Sequence, residues 1–147
     1  MERPTLALSL TVNDGNAALD FYVRAFDAKE LYRIKGPNGN VVHSEFSLGN
    51  FNVYLSEEYP EWRAHAIKGG EVAPCLFAIE CDDCDKMQTR AIGAGAVKGS
   101  DPQDQIWGWR TAMVIDPFGY RWNLRTFLED VSQEEMERRM QALMAGN

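Results

Sequence analysis

The sequence predicts an α+β domain in which one βαβββ plan occurs twice. Two observations carry this: the order strand, helix, three strands appears in each half, and a near-constant residue shift superimposes the halves. A third agrees with them. The chain has 147 residues, 45% hydrophobic and 25% charged, an ordinary globular composition, and a chain of that length buries roughly 68–70% of its unfolded surface.

In the first half, Leu6, Leu8, Leu10 and Val12 alternate with Ala7, Ser9 and Thr11, as in a strand with one buried face. Asn13-Asp14-Gly15 supplies helix-starting residues, and Ala18, Phe21, Tyr22, Ala25 and Phe26 recur at helical spacing. Strands over 31–34, 41–48 and 51–56 follow, separated by Pro37-Asn38-Gly39 and Gly49-Asn50 turns.

In the second half, Phe77, Ile79 and Cys81 alternate with Leu76, Ala78 and Glu80. Asp82 or Asp83 caps a helix that carries Met87, Ala91, Ile92 and Ala94 and ends at Gly93 and Gly95. A short strand over 96–98, a polar loop over 99–105 and strands over 107–115 and 120–126 complete the set. Asp116-Pro117-Phe118-Gly119 has the residues of a type I turn. A shift of 69 residues carries Asp14 onto Asp83, Ala18 onto Met87, Tyr22 onto Ala91 and Ala25 onto Ala94, and a shift of 70 carries Gly49 onto Gly119. That regularity points to duplication.

The predicted division is module one over 5–56, a linker over 57–73 containing Pro60, Gly69 and Gly70, module two over 74–126, and a C-terminal helical extension over 127–147. In the extension Ser132-Gln133-Glu134-Glu135 is a capping box. Met136, Met140, Leu143 and Met144 make an apolar stripe on a charged helix. The stripe is expected to pack on the domain's own sheet, with a dimer contact as the alternative.

Composition removes several partner classes. A net charge of −7 with no basic cluster repels phosphate backbones, so no nucleic-acid partner is expected. No run of about 18 apolar residues exists, so no membrane span is expected. Met1-Glu2-Arg3-Pro4 lacks the long apolar stretch of a secretion signal, which makes a cytoplasmic location the expectation. Cys75, Cys81 and Cys84 are odd in number, which argues against a disulfide framework. Cys81 and Cys84 have the spacing of redox and zinc sites. Cys81, however, ends a strand on its apolar side, so a packed structural thiol is the expectation.

The stretch Leu10-Thr11-Val12-Asn13-Asp14 through Ala18-Leu19-Asp20-Phe21-Tyr22 resembles the opening strand and helix of the vicinal oxygen chelate superfamily. Trp107-Gly108-Trp109-Arg110 with Asp116-Pro117-Phe118-Gly119-Tyr120-Arg121-Trp122 resembles its closing hairpin. The chain is similar to the single-domain branch that holds glyoxalase-like and bleomycin-resistance proteins, over roughly residues 5–127, and Asp130-Val131-Ser132 through Glu135-Met136 is similar as well. The resemblance implies that the two modules form a cupped mixed sheet. In metal-dependent relatives each half places one ligand on its first strand and one on its last, facing the cup. By that register the positions here are Ala7 and Leu76, then Tyr54 and Asn123, and none is His, Glu or Cys. A divalent site needs carboxylates, thiolates or imidazoles, so no metal and no cofactor are expected.

Two constellations remain. His43 and Glu45 lie two apart on one strand and share a face, while Val42, Ser44, Phe46 and Leu48 take the more apolar one. The pair could serve as a general base, as two ligands of a displaced metal, or simply as a polar pair that orders the wall. Trp107, Trp109, Tyr54, Tyr59 and Trp62, with Arg110 among them, have the make-up of a small-molecule pocket. Trp107 and Trp109 share one strand face and Arg110 the other, so only a bulge would bring all three together. The expected function is a metal-independent small-molecule-binding protein, a homodimer, with Tyr54, Trp107, Arg110 and Asn123 as ligand-binding residues. The alternative is a metal-dependent or metal-free lyase or isomerase of the glyoxalase kind, with His43 and Glu45 as catalytic residues.

Overall fold

The structure, a computed structural model, describes residues 6–146; the expectations for Met1-Glu2-Arg3-Pro4 and for the first residue of module one lie outside it. The elements run β1 (Leu8–Val12), α1 (Gly15–Phe26), β2 (Lys29–Lys35), β3 (Val41–Leu48) and β4 (Phe51–Glu57). After a 3-10 turn at Pro60–Trp62 come β5 (Leu76–Glu80), α2 (Cys84–Gly93), β6 (Val97–Asp104), β7 (Trp109–Ile115), β8 (Arg121–Phe127) and α3 (Gln133–Ala145). They form two four-stranded mixed sheets ordered β1-β4-β3-β2 and β5-β8-β7-β6.

The duplication is visible in the register. Ser9 sits opposite Tyr54 and Leu10 opposite Leu55 in the first sheet. Ala78 sits opposite Asn123 and Ile79 opposite Leu124 in the second, each pair 69 residues on. Both helices start the same way: Asp14 accepts from the Ala17 amide at 2.9 Å and Asp83 from the Lys86 amide at 3.0 Å, which satisfies one of the free N–H groups of a first turn.

Each sheet turns one face to the helices. Leu10, Val12, Phe46, Val53, Leu55, Ala112, Val114, Trp122 and Leu124 are buried there against Ala18, Phe21, Tyr22 and Ala91. Burying each large apolar side chain contributes about 1.5–3 kcal/mol, far more than the 0–1 kcal/mol of a surface ion pair. The modules therefore hold together through this shared core. Tyr22 of α1 stacks on Phe46 of its own sheet at 5.1 Å and meets Trp122 of the other at 5.5 Å. Asp116, at the β7–β8 turn, accepts from Tyr22 Oη at 2.6 Å, Trp122 Nε1 at 2.8 Å and the amides of Phe118 and Tyr120. Burial pushes its carboxyl above the ordinary range, and these donors offset only part of that.

Three expectations are corrected here. The polar stretch 99–105 mostly belongs to β6, an edge strand that accommodates Asp101-Pro102 where its register slips between Ser100 and Gln103. Trp107 is not in a strand; it lies in the turn before β7, because the Gly108 carbonyl is taken by the amides of Leu128 and Glu129. The Met-rich stripe does not pack on the domain's sheet. No residue of α3 is buried, and Met140, Leu143 and Met144 are 40%, 57% and 70% exposed. What ties α3 down is polar: Arg139 donates to the Ile106 carbonyl at 3.1 Å and to Glu129 at 2.8 Å.

Candidate functional site

Strand alternation sets the face of each sheet that the helices leave open. In the first sheet it presents Tyr32, His43, Glu45, Asn52 and Tyr54. Tyr32 Oη is 3.0 Å from His43 Nε2, Asn52 Nδ2 donates to Glu45 Oε1 at 2.8 Å, and the His43 and Tyr54 rings lie 5.5 Å apart. Partial desolvation and the nearby Glu45 carboxylate push the Tyr32 phenol up. His43, Glu45 and Tyr54 are thus brought together. Tyr32 and Asn52 complete the group, and sequence reading missed both. Tyr32 had no sequence signal, because the β2–β3 register is shifted by a bulge between Glu30 and Tyr32. Asn52, two residues before Tyr54 on β4, had one in the strand alternation.

In the second sheet the open face carries Leu76, Ala78 and Glu80 on β5, Arg121, Asn123 and Arg125 on β8, and Trp109 and Met113 on β7. Arg125 lies over the Trp109 ring, with Cζ 4.4 Å from the centroid, and Trp109 meets Phe127 edge-on at 5.2 Å. Arg110 is on the other side. Its guanidinium bonds Asp85 of α2 at 2.8 and 3.0 Å and Asp104 of β6 at 2.8 Å, and these carboxylates hold it well above its ordinary range. The Asp85 carboxyl is lowered by the same contact. The four ligand-binding residues expected from sequence therefore do not share one surface. Asn123 stands among arginines of the second sheet, Tyr54 in the first, Trp107 in an exposed turn, and Arg110 fastens α2 to β6 and β7.

The edges of β1 and β5 face each other across the seam between modules. At one end Tyr120 bridges it: its hydroxyl donates to the Thr11 carbonyl at 2.9 Å and accepts from the Thr11 amide at 3.1 Å. At the other end the edges part, leaving a cleft of about 650 Å³. Ala7, Leu76 and Ala78 border it, Phe26, Met87 and Trp122 are among its walls, and Glu80 and Arg125 supply the charge. A site of that volume, apolar with a few polar groups, suits a small organic molecule.

The register positions that carry metal ligands in relatives can now be judged on this chain. Ala7 and Leu76 border the cleft without a donor atom, Tyr54 leans on His43, and Asn123 offers a neutral amide. Ser9 and Ala78, the residues paired with Tyr54 and Asn123, add only a hydroxyl. Among the described residues no three His, Cys, Asp or Glu side chains are placed to hold a metal ion. This donor set does not fit a divalent cation. The thiols do not alter that: burial pushes both Cys81 and Cys84 up, and Cys84 is buried with its Sγ near the Arg110 carbonyl.

Among the described residues no helix is long and apolar enough to cross a membrane. The chain is 35% identical over 142 residues to an uncharacterised protein of Mycobacterium bovis, covering 93% of this chain and 92% of that one. Its fold is similar to that of TioX from Micromonospora sp. ML1 (TM-score 0.67, 24% identity, 86% of this chain and 100% of that one). It is also similar to that of the fosfomycin resistance protein FosX from Mesorhizobium loti (TM-score 0.62, 18% identity, 92% and 98%). The family model of the Glyoxalase/Bleomycin resistance protein/Dioxygenase superfamily matches residues 5–124. With its paired βαβββ sheets and this match, the chain belongs to that superfamily.

Proposed function

We propose that this protein binds a small organic molecule in the cleft between β1 and β5 without a metal ion. One observation carries the reading: the positions that hold metal ligands in relatives are here Ala7, Leu76, Tyr54 and Asn123, and two of them border an apolar cleft of about 650 Å³. An apolar wall favours burying a ring or chain, whereas the four register positions offer no ligand set for the metal ion that would polarise a substrate. A thermal-shift screen of aromatic and amphiphilic small molecules tests this, with Ala78→Trp as the variant that fills the cleft. Hits are expected in the wild type and none in Ala78→Trp. Hits unaffected by Ala78→Trp would remove the cleft as the site.

The same reading includes a homodimer, in which a second copy covers the exposed stripe Met140, Leu143 and Met144 of α3. Sedimentation at micromolar concentration is expected to give the mass of two chains; a single-chain mass contradicts it.

A second reading is favoured by the hydrogen bond between Tyr32 Oη and His43 Nε2 and the nearby Glu45 held by Asn52. This group has the residue types of a proton-transfer site in a lyase or isomerase. It requires that Glu45→Gln abolish a measurable turnover.

A further inference from the structure

Among the described residues, two buried side-chain polar atoms lack a hydrogen-bond partner, and both are arginine Nε atoms, of Arg121 and Arg125. Both arginines lie on the open face of β8 and flank Asn123 at two-residue spacing. Each is about 7 Å from Asn123 along the strand. A buried N–H left unpaired is costly, and in a native structure it calls for a partner.

Among the described residues nothing supplies that partner. Arg125 Nη2 is 3.9 Å from Glu80 Oε2, beyond hydrogen-bond reach. Arg121 has only the Pro74 carbonyl, 3.3 Å from Nη2. Three other arginines differ: Arg33, Arg110 and Arg139 are each tied to two carboxylates. In a chain of net charge −7 carboxylates are plentiful, yet this face leaves its guanidinium groups with spare donors. Glu80, the one acid among the described residues that line the cleft, has a side chain 63% exposed.

We infer that the cleft takes a small organic anion, its apolar body lodged between β1 and β5 and its carboxylate or phosphonate held by Arg125. This names the ligand class for the cleft proposed above and rests on that reading. A guanidinium presents a planar fork that meets two oxygens of an oxyanion in parallel hydrogen bonds. Stacking on Trp109 fixes the plane of Arg125, so less side-chain freedom is lost when the anion binds. Among the described residues Arg125 is also the only cation lining the cleft.

Calorimetric titration with 1-naphthoate, the neutral 1-naphthalenemethanol and the cationic 1-naphthylmethylamine tests the inference on the full chain. In the wild type the acid is expected to bind at least about ten-fold tighter than the alcohol. Arg125→Gln is expected to erase that preference while leaving the alcohol's affinity within about two-fold, which also shows that the variant is folded. Arg138→Gln, at an exposed side chain of α3 that does not line the cleft, is expected to keep the preference. An alcohol or amine that binds as tightly as the acid, or a preference that survives Arg125→Gln, overturns the inference and leaves the cleft reading standing. If none of the three binds the wild type, the cleft reading fails and this inference with it.

Discussion

Asp116 is the residue on which the junction of the modules turns. It is 4% exposed and accepts from a phenol, an indole and two backbone amides. Replacing it with Leu strands four buried donors, each costing about 1–3 kcal/mol when unpaired. Relaxation recovers part of that, so Asp116→Leu is expected to lose about 3–5 kcal/mol, or not to fold. Asp116→Asn keeps one acceptor oxygen and is expected to lose about 1–3 kcal/mol by urea denaturation. A loss below about 0.5 kcal/mol for Asn would mean the network adds little. Gly108 is equally constrained. Its φ of 86° lies in the left-handed region, and a β-carbon there would collide with the Glu129 carbonyl oxygen. Gly108→Ala is therefore expected to lower the melting temperature by several degrees and to free the Trp107 turn, seen as a shift in tryptophan emission.

At the scale of elements, α3 behaves as a helix held by charge rather than by burial. Arg138 and Arg139 bracket Glu135 at 2.6 and 2.8 Å and hold its carboxyl at about 2, below the usual 4.5. The sign follows from that depression. The contact contributes at pH values above the ordinary glutamate range and fades as pH falls from about 4.5 towards about 2. An NMR titration is expected to find Glu135 half-protonated near 2 and to return it to the ordinary range in the double variant Arg138→Gln, Arg139→Gln. Because no residue of α3 is fully buried, removing residues 132–147 is expected to change monomer stability by no more than about 1 kcal/mol. A larger loss would mean the helix packs on its own domain.

The elements also show what the sequence made legible. Asp14 and Asp83 could be picked out as caps because capping needs a particular side chain next to a particular periodicity, and both caps form. His43 and Glu45 were assignable to one face because a strand alternates every two residues. Tyr32 was not, since its place beside them depends on a bulge with no sequence signal. The α3 stripe has a buried helix's pattern without its burial, because periodicity reports only that an apolar face exists, not what covers it. Arg121 and Arg125 carried a signal that went unread: they sit two residues either side of Asn123 and so had to share its face.

At the scale of the molecule, duplication built two equivalent sheets and set their first strands edge to edge, and the cleft is the part of that seam which Tyr120 does not bridge. The polar group around His43 lies on one sheet and the arginine row on the other, so the two proposed roles, binding and proton transfer, are separable by mutation. The most direct measurement is ligand affinity before and after exhaustive chelation, with transition-metal content determined on the same samples. Metal-free binding should give far less than one equivalent of metal and an affinity that chelation does not change. A full equivalent of nickel, zinc, manganese or iron, whose removal abolishes binding and whose return restores it, would contradict it.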